Sequence, residues 1–147
     1  MNKRKGFSLV ELLIVIVIMG ILGAGVMLSS GGAVASARAL TIINDLRSLK
    51  EAALLFYLDN PDTAPTIDAL KNYIDNSEKL TGENTPYSVK PNTAGDTYFI
   101  GYSLTGDPNK DDIKTRLKSR AKSAGLLNAL DTSQVYENAE TVYIKAY

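Results

Sequence analysis

Glu11 is a carboxylate at the head of a long uncharged run, since no charged residue occurs from Leu12 to Ala37. An ionised side chain at the centre of a membrane helix costs about 2.5–3.5 kcal/mol on insertion scales. Such a group calls for a cationic partner or for a place near an interface, where it can snorkel. In the first turn of a helix it also gains from the helix dipole. The remaining chemistry is sparse. The chain has no Cys, His or Trp, which excludes thiol nucleophiles, histidine acid–base pairs and Cys/His zinc sites. Carboxylates, Ser, Lys and Tyr remain, with no nucleophile elbow, no phosphate loop and no base, so the expectation is a non-enzyme without cofactor. No disulfide can staple the fold.

Two further groups have suggestive spacing. Asp107-x-Asn109-x-Asp111 opens like a calcium loop, but Asp112 replaces the sixth-position Gly and Lys118 the twelfth-position Glu. A turn leading into helix-capping aspartates accounts for the same residues. Lys114, Arg116, Lys118, Arg120 and Lys122 make residues 111–124 basic, flanking an apolar arc of Ile113, Leu117, Ala121 and Ala124. That is the pattern of a solvated amphipathic helix whose long stems cover the core edge. Nucleic-acid capture favours a clustered patch with aromatic partners, so no specific nucleic-acid partner is expected.

The elements that must position these groups follow from periodicity. The run from Leu12 exceeds the roughly 20 apolar residues that span a bilayer. Lys3, Arg4 and Lys5 on one flank keep that side cytoplasmic. Ile42, Leu46, Leu49, Ala53 and Phe56 then recur on one helical face, and Asp59-Asn60-Pro61 breaks the pattern. One helix over 7–58 would measure roughly 78 Å at 1.5 Å per residue, more than a domain of this size needs. Residues 59–147 read as a small α+β head. It has a short helix over Thr66–Asp75, a strand with Tyr98, Ile100, Tyr102 and Leu104 on one face, and a turn at 105–108. A helix over Asp111–Ala124 stopped by Gly125 and a C-terminal strand over Thr141–Tyr147 complete it. Lys+Arg and Asp+Glu balance at 16 each; without Lys3, Arg4 and Lys5 there remain 13 basic residues, a net of −3.

The string Lys5-Gly6-Phe7-Ser8-Leu9-Val10-Glu11-Leu12 resembles the cleavage and methylation signature of type IV prepilins and type II secretion pseudopilins. The likeness covers residues 1 to about 58 closely and the head only in layout. It implies an α+β fold, in which a long N-terminal helix packs by its second half against a small head with an antiparallel sheet. It also implies a cationic leader, 1–6, removed by the prepilin peptidase between Gly6 and Phe7, with N-methylation of the new Phe7 amine. Residues 7–35 would then be the membrane and filament core, 36–58 the amphipathic part of the helix, and 59–147 the head. Glu11 would pair with the Phe7 amine of a neighbouring subunit and set axial register. The implied partners are copies of the chain itself, the peptidase/methylase and the inner-membrane assembly machinery. The implied location is the cytoplasmic membrane before assembly and a cell-surface filament after it. Calcium binding in pseudopilin heads keeps the Asp107, Asn109, Asp111 loop in view.

The chain departs from the family in two ways. It lacks the mid-membrane proline found in many members near the position of Leu28, offering Gly20, Gly23, Gly25, Gly31 and Gly32 instead. These glycines would permit close packing, as in Gly20-x-x-x-Ala24, or local stretching and melting of the helix in a filament. It also lacks the disulfide that often closes the head, so strand pairing through Thr141–Tyr147 must hold the C-terminal region. Two other readings compete: a pseudopilin, and an ordinary secretory signal cut at Ala33-Val34-Ala35 or Ala35-Ser36-Ala37. Against the signal, the segment exceeds the usual ~15–30 residues and its apolar stretch the usual ~7–15.

Overall fold

The computed structural model describes residues 7–75, 77–82 and 84–147, with the side chains of residues 25–31 and of Thr132 outside that description. The leader, including Gly6, also lies outside the described residues. A first helix, α1, runs over Leu9–Asp59. The chain divides into two compact units, Met1–Val34 and Ala35–Tyr147.

In the second unit, α1 presents a face of Ala35, Ala39, Ile42, Leu46, Leu49, Ala53 and Phe56, all buried. This is the expected stripe, extended backwards by two alanines whose small side chains allow close approach. Asp59 ends the helix, and the Asn60 amide N–H still donates to the Phe56 carbonyl at 2.8 Å. Residues 69–73 form a 3₁₀ turn (Ala69–Tyr73), tighter and shorter than the helix expected over 66–75. A short helix, α2, follows at Ser77–Thr81.

Five strands form one antiparallel sheet: β1 (Tyr87–Pro91), β2 (Tyr98–Ser103), β3 (Leu126–Ala129), β4 (Asp131–Val135) and β5 (Thr141–Lys145). Their order is β1-β2-β5-β3-β4, so the C-terminal strand sits in the middle, paired to β2 on one side and β3 on the other. That placement does the work a disulfide would otherwise do, since removing β5 would split the sheet. Helix α3 (Lys110–Ala124) ends at Gly125, which adopts φ 69° and donates its N–H to the Ala121 carbonyl. Only glycine takes this left-handed cap without a Cβ penalty.

Alternation along β2 and β5 sorts side chains between the two faces of the sheet. Ile100 pairs with Ile144 and Tyr102 with Val142, and these join one core cluster with α1 and with Ile113, Leu117 and Ala121 of α3. On the opposite face Gly101 pairs with Tyr143. A Cβ on Gly101 would stand 2.7 Å from the Tyr143 ring, so the glycine is what lets the aromatic ring lie across its neighbour.

Polar clamps fasten the second half of α1 within its unit. Asp45 accepts the Tyr87 hydroxyl at 2.6 Å and the Lys79 ammonium at 3.3 Å. Asp59 accepts the Tyr73 hydroxyl at 2.9 Å, and Arg38 faces Asp107 at 3.7 Å. Burial, helped by the Asp45 carboxylate, pushes the Tyr87 phenol far above its usual range. Lys114, almost fully buried, reaches Glu140 at 2.6 Å, with Lys110 at 3.5 Å.

The hydrogen bond from Lys114, with the nearby Lys110 charge, holds Glu140 below the usual carboxylate range. A depressed folded-state pKa gives stability that is complete above the unfolded value of about 4.3 and lost as pH falls through the folded value. Glu140→Gln should therefore lower the thermal midpoint at pH 7 and flatten its decline below about pH 4.3. An acid decline as steep as that of the parent chain would assign it to other carboxylates.

Candidate processing and assembly segment

The first turn of α1 is closed by a reciprocal pair of side chains. Ser8 precedes the helix, and its hydroxyl oxygen accepts the Glu11 amide N–H at 3.3 Å. The Glu11 carboxylate reaches back, taking the Ser8 amide at 2.9 Å and the Ser8 hydroxyl at 3.0 Å, both on Oε2. This is a capping box: two of the four orphan donors of a helix N-terminus are satisfied at once. Both contacts fall on Oε2, and among the described residues none is made by Oε1 of Glu11. The signal lay in the sequence as Ser8-x-x-Glu11, and reading Glu11 only as a charge passes over Ser8.

Beyond the cap, the helix displays its apolar side chains on every side. Exposure runs from 47% at Val15 to 86% at Leu9, and Phe7 is 84% exposed. The β-branched run from Ile14 to Ile18 has below-average helix propensity in water. In an apolar medium a helix satisfies its own backbone, so the same run becomes favourable there. Among the described residues, no helix is long and apolar enough to cross a membrane. The uncharged run of the sequence continues through residues 25–31, whose side chains lie outside the description.

The expected flexibility glycines fall inside this helix. Backbone assignment is helical from residue 20 through 32. A Cβ on Gly20 or Gly23 would meet nothing within 4 Å, so this chain's own packing does not require glycine there. Gly25 and Gly31 belong to the stretch of which only the backbone is described. In the 107–111 loop, Asp107 spends Oδ1 on the Asn109 amide at 2.9 Å and Oδ2 on Arg38. Asp111 lies in the first turn of α3, where it complements the dipole. The hydrogen bonds are those of a turn feeding a helix. Among the described residues no three carboxylates gather closely enough to hold a metal ion.

The chain thus joins an apolar helical segment headed by a single capped carboxylate to a separate α+β unit. Residues 1–27 match the family described as the prokaryotic N-terminal methylation motif, the same segment whose residues resemble the prepilin signature. No curated protein matches the chain. Among solved structures it is similar to the major type IV pilin PilA1 of Clostridium difficile, at 15% identity and a TM-score of 0.46 over 78% of this chain and 98% of that one.

Ser8→Ala should free the Glu11 amide and remove the hydroxyl contact to Glu11 Oε2, at a cost of about 1 kcal/mol to the first turn. In detergent micelles, amide exchange at Leu9–Leu12 should then quicken about fivefold relative to the parent chain. Unchanged exchange would mean that the apolar medium alone holds the turn.

Proposed function

We propose that this chain is the structural subunit of a type IV pilus filament, made as a prepilin, held in the cytoplasmic membrane and polymerised through α1. The observation that carries this reading is the exposed apolar first half of α1 with a lone carboxylate at its head. Thirteen large apolar side chains between Phe7 and Leu22 stand exposed. Each is worth about 1.5–3 kcal/mol on full burial, so even partial burial rivals the whole stability of a domain, about 5–15 kcal/mol. Such a segment leaves a membrane only for another apolar environment. Copies of itself provide one.

The prepilin peptidase cuts between Gly6 and Phe7 and the new amine is N-methylated. The cut removes Lys3, Arg4 and Lys5, the cations that pin the segment to the cytoplasmic side. It also creates one positive charge a helical turn from Glu11. Glu11 keeps Oε2 on the Ser8 cap and offers Oε1 to the Phe7 amine of a neighbour. A subunit docked out of register leaves two charges unpaired in an apolar core, a penalty of several kcal/mol that selects the correct step. Gly20 and Gly23 admit the backbone of an adjacent helix.

Mass spectrometry of the chain sheared from cell surfaces should find a mature N-terminus at methylated Phe7. A start at Ser36 or Arg38 would instead mark a secreted soluble head and end the filament reading. Glu11→Ala should insert and be cleaved normally yet yield at least tenfold fewer filaments; parental yield would refute the charge pairing. Gly20→Ala with Gly23→Ala should stabilise the isolated helix by about 1 kcal/mol per site while lowering filament yield. Unimpaired filaments would show that helices do not approach closely there.

A further inference from the structure

We propose that the exposed cations of α3 on one subunit dock into an acidic groove on the head of the next, giving the filament a head-to-head contact separate from the α1 core. This rests on the filament reading above.

The groove, of about 950 Å³, lies between the second half of α1 and the 3₁₀–α2 segment. Leu55 and Ile74 line it among Asp45, Glu51, Asp75 and Glu78. Asp45 is already neutralised by Lys79. Glu51, Asp75 and Glu78 are exposed, and none forms an ion pair among the described residues. Beside them Leu54, Leu55 and Leu58 stand 44–68% exposed on α1. The second half of α1 therefore hides one apolar face in its own core and leaves a smaller apolar strip outside, rimmed by unanswered negative charge.

The complement is on the same chain. Along α3, Arg116, Lys118 and Lys122 are exposed and Arg120 half-buried. Among the described residues none of the four has a carboxylate partner. The other two cations of this helix, Lys110 and Lys114, are both spent on Glu140. Lysine and arginine suit a mixed groove, because their stems lie on apolar surface while their heads reach carboxylates at its rim. Burying Leu55 and Ile74 under those stems supplies the dry centre, and the charge pairs supply register and specificity.

The two surfaces differ, so the contact is heterologous. A heterologous contact that does not close on itself propagates into an open chain, which is the symmetry a filament requires. A small basic ligand would fill the groove but would leave the unpaired cations of α3 unexplained. A second copy answers both surfaces.

The absence of cysteine makes the contact directly testable in the full chain. Ser48→Cys lines the groove and Ser119→Cys stands between Lys118 and Arg120, so both leave every charge in place. Mild oxidation of sheared filaments and of the membrane fraction should give a ladder of covalent oligomers on a non-reducing gel. Arg116→Glu with Lys118→Glu in that background should weaken the ladder at least tenfold, and adding Glu51→Lys with Glu78→Lys should restore it. Filaments visible by electron microscopy without a ladder would overturn this contact while leaving the filament reading intact. A single dimer band, or a cross-link to a different protein, would overturn it as well. If the parent chain makes no filaments, the filament reading fails, and the presence or absence of the ladder in the membrane fraction still decides the contact.

Discussion

The rest of this protein depends on an unmet burial requirement at the front of α1. Among the described residues thirteen large apolar side chains from Phe7 to Leu22 stand exposed, and the one charged group among them caps the helix that bears it. On the filament reading proposed above, the two features belong together: the segment passes from one apolar environment to another, and Ser8 holds the carboxylate in a defined orientation as it does so.

The second half of the same helix solves the opposite problem. Its apolar stripe is satisfied inside its own unit, against a sheet whose central strand is the C-terminal one. Polar side chains from three separate segments converge on it through Asp45, Asp59 and Arg38. Those clamps matter because an amphipathic helix can slide along a sheet if only apolar contacts hold it. A buried phenol bonded to a carboxylate cannot slide without stranding both groups. One helix thus carries two apolar programmes, one met within the chain and one left open, and the change between them falls near Ala35.

How much of this was legible in the sequence depends on the range of the interactions. The stripe from Ile42 to Phe56, helix α3 with its Gly125 stop, and strands β2 and β5 all announce themselves through local period and turn chemistry. Strands β1, β3 and β4 do not. Tyr87–Pro91 ends in proline and Asp131–Val135 is mostly polar, both ordinary for sheet edges, while β3 is only four residues long and follows the helix cap directly. Their pairing is decided by distant partners, which no window of sequence reveals. The capping box was the reverse case, a purely local signal hidden because Glu11 has a second, longer-range reason to be there. The exposed strip of Leu54, Leu55 and Leu58 was not legible either, since periodicity marks both apolar faces of α1 without saying which one the head will cover.

The proposed pairing of Glu11 with the Phe7 amine of a neighbour is the claim to which these features converge. Filaments grown from a mixture of subunits, one population labelled with ¹⁵N at Phe7 and the other with ¹³C at the Glu11 carboxyl, test it by solid-state NMR. The account predicts a dipolar contact between the two populations at about 4 Å, the reach of an ion pair. A filament in which that contact is absent, or appears only when both labels are carried by the same chain, would contradict it.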